Sequence, residues 1–151
     1  MRRRSQSAQW QQLHEADLIG ERFSVLELDA HSCSKEDITV VNATFSCAIT
    51  HPCAMLNAFA GWFDVQFCGS TADPAPNPVE LTTAPSHSTH WAQQLFYVHP
   101  PFEVQAGDVL KGSVLLTRQK VNHRLLAMQV KMIIVRGGVT IGERSLKYKI
   151  D

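Results

Sequence analysis

Along the chain, apolar side chains fall in short runs separated by breaks of proline, glycine and small polar residues. The runs are Phe23 to Leu28, Ile38 to Ile49, Leu56 to Phe67, Val79 to Thr83, Trp91 to Val98, Val109 to Thr117, Leu125 to Val135 and Leu146 to Ile150. Partial period-two alternation within them, with no helical period between them, predicts an all-β fold, an antiparallel β-barrel-like or sandwich domain. Gly69 to Pro78 holds three prolines in ten residues and is expected as an exposed loop, because proline cannot donate to a central ladder. Ala84-Pro85-Ser86, Pro100-Pro101, Ala106-Gly107-Asp108 and Gly137-Gly138 are expected turns. Within Leu56 to Phe67 both alternating faces carry bulk, which predicts a central strand and the best part of the core, with a bulge or close backbone approach at Gly61. Ahead of this pattern, residues 1–20 are rich in glutamine and charge and have Trp10, Leu13, Leu18 and Ile19 as their large apolar groups. They are expected as an extension with one short helical turn, and residues 21–151 as the β domain.

A chain of 151 residues with 44% apolar content fits one ordinary domain. No apolar run approaches the ~20 residues that cross a bilayer, and Met1 to Ser5 leads into polar residues. Secretion and membrane insertion are not expected, and a cytoplasmic or nuclear location is. Formal net charge is zero, yet acids crowd the front (Asp17, Glu21, Glu27, Asp29, Glu36, Asp37) and bases the back (Lys111, Arg118, Lys120, Arg124, Lys131, Arg136, Arg144, Lys147, Lys149). That mild asymmetry indicates no direct nucleic-acid binding. Cys33, Cys47, Cys53 and Cys68 form no C-x-x-C pair, so neither a metal site nor a disulfide framework is expected. Asn42-Ala43-Thr44 fits a glycosylation sequon but sits inside an expected strand.

For chemistry, the sequence offers no glycine-rich strand-to-helix turn that could cradle a nucleotide, no G-x-S-x-G elbow and no H-E-x-x-H. What remains is a polar loop from Thr82 to Trp91, with hydroxyl residues, His87, His90 and Trp91 within ten positions. His90 is suited to accepting a proton and Trp91 to stacking on a cationic guanidinium. Isolated loop histidines are more often simply solvated, and His87-x-x-His90 lacks the further ligands a metal would need.

Phe59-Ala60-Gly61-Trp62-Phe63-Asp64-Val65-Gln66-Phe67, Val79 to Ser86, and Thr89-His90-Trp91-x-Gln93-Gln94 resemble, in order and spacing, the C-terminal barrel of protein arginine methyltransferases. Val104-x-x-Gly107-Asp108-x-Leu110 and Arg118 to Leu125 continue the likeness, which leans toward the family's plant-type branch numbered ten; Trp10 to Leu28 resembles the segment that leads from the dimerisation arm. Asn57-Ala58 and Ala92 depart from common family choices. The resemblance implies a two-half enzyme whose cofactor half binds S-adenosylmethionine and holds the target arginine of Arg-rich proteins such as histones, this chain being the substrate-side half. It further implies that Thr89 braces the loop, that His90 is the catalytic group, pairing with an aspartate of the other half, and that Trp91 walls the arginine pocket. On that reading the chain binds no cofactor itself, is inactive alone, and partners either its cofactor half or, as a non-catalytic modulator, a complete methyltransferase. The family is homodimeric through an arm that this sequence does not contain. An unrelated β-sandwich binding module would need apolar alternation but not these polar identities.

Overall fold

The computed structural model describes residues 6–87 and 89–150; Met1 to Ser5, Ser88 of the polar loop and Asp151 lie outside it. Ten strands follow in order: β1 (Gln6–Ser7), β2 (Gln9–Gln11), β3 (Val40–Ala48), β4 (Cys53–Gly61), β5 (Asp64–Gly69), β6 (Pro74–Thr82), β7 (Gln93–Gln105), β8 (Val109–Arg118), β9 (Leu126–Arg136) and β10 (Val139–Ile150). They form a five-stranded sheet ordered β1-β10-β9-β8-β3, a three-stranded sheet β2-β7-β4, and a separate β5-β6 hairpin. Every pairing is antiparallel except β1 with β10. The expected all-β antiparallel architecture is therefore what the chain adopts. The short helical turn expected before Gly20 is present as a 3-10 turn at Glu15–Asp17, its first N–H groups closed by the Asp17 carboxylate accepting from the His14 N–H at 2.8 Å.

The core lies between the two larger sheets. Phe45, Cys47, Leu110, Val114, Val130, Met132, Ile134 and Tyr148 from one meet Leu56, Phe96, Val98 and Val104 from the other. Alternation decides the inward set: along β9, Met128, Val130, Met132 and Ile134 are buried while Lys131 between them is exposed. The Tyr148 hydroxyl donates to the Tyr97 carbonyl at 2.8 Å, tying β10 to β7 across the core, and burial raises its phenol above the ordinary range. At the rim, Asp108 in the β7–β8 turn is buried and receives both Arg136 Nε at 2.8 Å and Arg136 Nη2 at 2.7 Å, plus the Gln105 N–H at 3.0 Å.

Four expectations about elements are corrected. Phe23 to Leu28 is irregular chain, held because Phe23 stacks on Phe45 at 4.5 Å between ring centroids. Leu56 to Phe67 is two strands, not one central strand: the chain leaves the three-stranded sheet at Trp62-Phe63 and enters the hairpin. Its bulk on both faces has a local cause, a register shift between Leu56 and Ala58 that turns Leu56 and Phe59, of opposite parity, toward the same core. The prolines of Gly69 to Pro78 do not make a loop, since Pro74, Pro76 and Pro78 lie in β6. The Thr83 N–H bonds back to the Phe63 carbonyl at 3.1 Å, so odd-numbered residues of β6 address β5 and Pro78 faces the free edge, where no donor is needed. Pro100-Pro101 likewise lies within β7, where residues 98–101 stand opposite Asn57 alone.

Candidate functional site

The loop that joins β6 to β7 is fastened at both ends by two fully buried polar side chains, Thr83 and Gln93. Thr83 sits one residue past β6, where its hydroxyl donates to the Phe63 carbonyl at 2.8 Å and accepts from the Phe63 N–H at 3.1 Å. Gln93 opens β7; its Nε2 donates to the Thr83 carbonyl at 2.8 Å and its Oε1 accepts the Leu13 N–H at 2.8 Å. One glutamine thus ties the start of the loop, its end and the N-terminal segment together. Buried groups with no access to water hold such bonds tightly, because an unmet one costs about 1–3 kcal/mol. The Thr82 hydroxyl adds a 2.5 Å bond to the Asp64 carboxylate and accepts from the Ala84 N–H at 3.2 Å.

Between these fastenings the chain turns back on itself, and the turn ends at Ala92, whose φ of 53° is the left-handed conformation usually left to glycine. That sharp reversal throws His90 and Trp91 outward. Both are exposed, and their rings lie against each other, centroids 3.9 Å apart and planes tilted by 33°. The Trp91 ring also meets Phe63 edge-on at 5.7 Å, so the pair is braced from the base of the hairpin. Thr89 is half-buried and its Oγ1, shielded from solvent, has no hydrogen-bond partner among the described residues. The three residues singled out from the sequence therefore share one loop at the foot of the β5-β6 hairpin. His87 is on the same loop, bonded through Nδ1 to the Ser86 hydroxyl at 2.9 Å. A cleft of about 650 Å³ opens beside them, lined in part by Arg22, Asp64, Glu80, His87 and Thr89.

Next to Trp91, one face of the hairpin is apolar and uncovered: Phe63, Phe67 and Val79 are exposed, and Val65 and Leu81 between them are half-buried. Thr83, Gln93 and Phe63 carry no role in the sequence reading, although all three fall inside the blocks that bear the family likeness. A threonine and a glutamine bordering a polar loop look solvated until the fold buries them.

Residues 2–134 match the arginine methyltransferase oligomerization subdomain. Protein arginine N-methyltransferase PRMT10 of Arabidopsis thaliana is 41% identical over 127 residues, covering 83% of this chain and 33% of that protein. Its namesake from Oryza sativa subsp. japonica is 42% identical over 125 residues, with 82% and 33% covered. The crystal structure of Arabidopsis thaliana protein arginine methyltransferase 10 superimposes with a TM-score of 0.89 at 36% identity, over 97% of this chain and 43% of that one. A Trypanosoma brucei PRMT1 enzyme–prozyme heterotetrameric complex with AdoHcy shares the fold, with a TM-score of 0.84 at 16% identity over 96% of this chain and 44% of that one. The chain spans about a third of the length of the curated relatives it matches. With the ordered sequence blocks, the antiparallel β fold and the solved neighbours in agreement, the chain belongs to the protein arginine methyltransferase family and corresponds to its C-terminal barrel.

Proposed function

We propose that this chain is the substrate-side portion of a protein arginine N-methyltransferase, working when joined to a cofactor-binding half. The observation that carries the reading is the outward His90–Trp91 pair, held on a loop bolted by Thr83 and Gln93 and set beside an uncovered apolar hairpin face. A second half covering that face would enclose the pair at the seam between the two. The family's methyl donor, S-adenosylmethionine, does not fit the residues present: the helical elements among the described residues are two three-residue 3-10 turns, which provide no helix N-terminus for a nucleotide-like group. It would supply the methyl group from the other half, and no step through it is assigned to this chain.

The chain's own residues have coherent work in that setting. Trp91 offers an aromatic wall to a guanidinium, which a ring attracts by about 0.5–2 kcal/mol depending on desolvation. His90, against the same ring, would orient the guanidinium or take up its proton, and Thr89 would brace the loop. Arg-rich proteins are the substrate class this chemistry fits, and the cytoplasm or nucleus is where such an enzyme would meet them. The test joins this barrel to the cofactor half of a relative and measures methyl transfer to an Arg-rich peptide. His90→Ala and Trp91→Ala are expected to abolish or severely reduce transfer with the circular dichroism spectrum unchanged. Full activity in both variants would sink the site assignment. Addition of the barrel to an intact methyltransferase, with a change in that enzyme's rate, would instead favour a modulator.

A further inference from the structure

The charge asymmetry of the sequence acquires a shape on the outer face of the five-stranded sheet. Register places Lys111 opposite Ile133, Ser113 opposite Lys131, Lys131 opposite Ser145, and Gln129 opposite Lys147. Each successive lysine is thus one strand over and two residues along, and Lys149 continues the line two residues further on β10. Lys111, Lys131, Lys147 and Lys149 form a diagonal stripe, all four exposed. With strands about 4.8 Å apart and a rise of about 3.4 Å per residue, the steps from Lys111 to Lys131 and from Lys131 to Lys147 are roughly 8 Å and that from Lys147 to Lys149 roughly 7 Å. None of the four is in a salt bridge among the described residues, whose ion pairs are Arg22–Glu15 and Arg136–Asp108. A shallow cleft of about 500 Å³ lies at the Lys111–Lys131 end of the stripe, lined in part by Lys111, Ser113, Lys131, Glu143 and Ser145.

Lysines commonly guard sheet edges, but β8 and β9 are interior strands of this sheet and need no guarding. Four like charges in sequence repel one another, at a cost that interleaved acids would remove, and Glu143 is the one carboxylate among the outward positions 111–117, 127–135 and 143–149. We propose that this face is a docking surface for an extended acidic peptide segment of a partner protein, with carboxylates on alternate residues. In a strand, alternate side chains on one face are about 6.8 Å apart, close to the pitch of the stripe. Nucleic acid is disfavoured by composition: the outward positions of β8, β9 and β10 between Val109 and Lys149 carry no aromatic side chain, so bases have nothing to stack on. The surface is on the opposite side of the sheet from the core and is independent of the His90–Trp91 loop.

Fluorescence anisotropy of the whole chain with a labelled (Glu-Ser)6 peptide at low salt tests this. Saturable binding is expected, weakened at least ten-fold in Lys131→Glu/Lys147→Glu and progressively by added salt. A block peptide of six glutamates followed by six serines should bind several-fold more weakly, since its charges do not match the stripe. Thermal melting of the double variant separates lost binding from lost folding, and amide shifts of the parent protein should move at positions 111, 131, 147 and 149. Absence of binding, equal binding by the double variant, equal affinity for the block peptide, or tighter binding of oligo-dT would each overturn the proposal. So would sedimentation showing that a second copy of the chain, rather than the peptide, occupies this face.

Discussion

Two side chains show what single residues contribute. Ala92 holds a left-handed backbone at the end of the loop, a conformation that costs an L-residue about 1–2 kcal/mol. Ala92→Gly removes that cost and gives back part of it in unfolded-chain entropy, so the melting temperature is expected to stay level or rise slightly. Asp108 is buried, and the Arg136 guanidinium holds its carboxyl below the usual carboxylate range, overcoming the opposing effect of burial. Because the folded-state value is depressed, its contribution is fully present above about pH 4, the ordinary carboxylate range, and is lost as pH falls through the lower folded value. Asp108→Asn should cost about 1.5–3 kcal/mol near neutrality, as expected for bonds to a charged group, and should lessen the fall in stability between neutral and strongly acid pH. Urea melts across that range would show both. Asp108 stood in the sequence as part of a turn and a family block; its partner, twenty-eight residues on by number, was invisible because only the β8–β9 pairing brings Arg136 back to it.

At the scale of elements, alternation located β3, β8 and β9 to within a few residues, since each belongs wholly to one sheet and buries one face. It misread the places where a strand changes company. Leu56 to Phe67 carries bulk on both faces because a register shift and a change of sheet fall inside one apolar run; the shift at Asn57 leaves no glycine or proline mark, and Gly61, which closes β4 just before the change of sheet, was read only as a bulge or close approach. Proline was given too much weight, because its exclusion applies to donors that face a partner and β6 has a free edge. The candidate loop was legible as a cluster of polar residues, whereas its bolts were not, because burial of Thr83 and Gln93 depends on where β2 and β5 lie. The hairpin itself makes a separate prediction. Phe67 is 56% exposed and Val79 59% exposed, directly opposite one another. Phe67→Thr with Val79→Thr should alter the stability of the isolated barrel by less than about 0.5 kcal/mol per site, as for surface substitutions generally. The same pair should weaken association with a cofactor half in a pull-down at least ten-fold. A large destabilisation without loss of association would show the face to be internal packing.

For the molecule as a whole, hairpins between neighbours in sequence, β5 with β6, β8 with β9, and β9 with β10, are joined by longer-range pairings of β3 with β8 and β4 with β7. The two pairings most distant in sequence come from the N-terminal segment. Gln6–Ser7 runs parallel to Tyr148–Lys149, and a step later Gln9–Gln11 pairs with Gln93–Leu95, so a short stretch of chain is stitched into both large sheets. Its parallel partner is the strand furthest from it in the described chain. During synthesis β2 has no mate until β7 has been made, and β1 none until β10 has been made. Pairings this distant in sequence are the slow ones to close. The β1–β10 pairing is then the last whose strands are both present, while Leu13, just past β2, sets the base of the His90–Trp91 loop through Gln93. The base of the loop is therefore set by a segment 80 residues earlier in the chain.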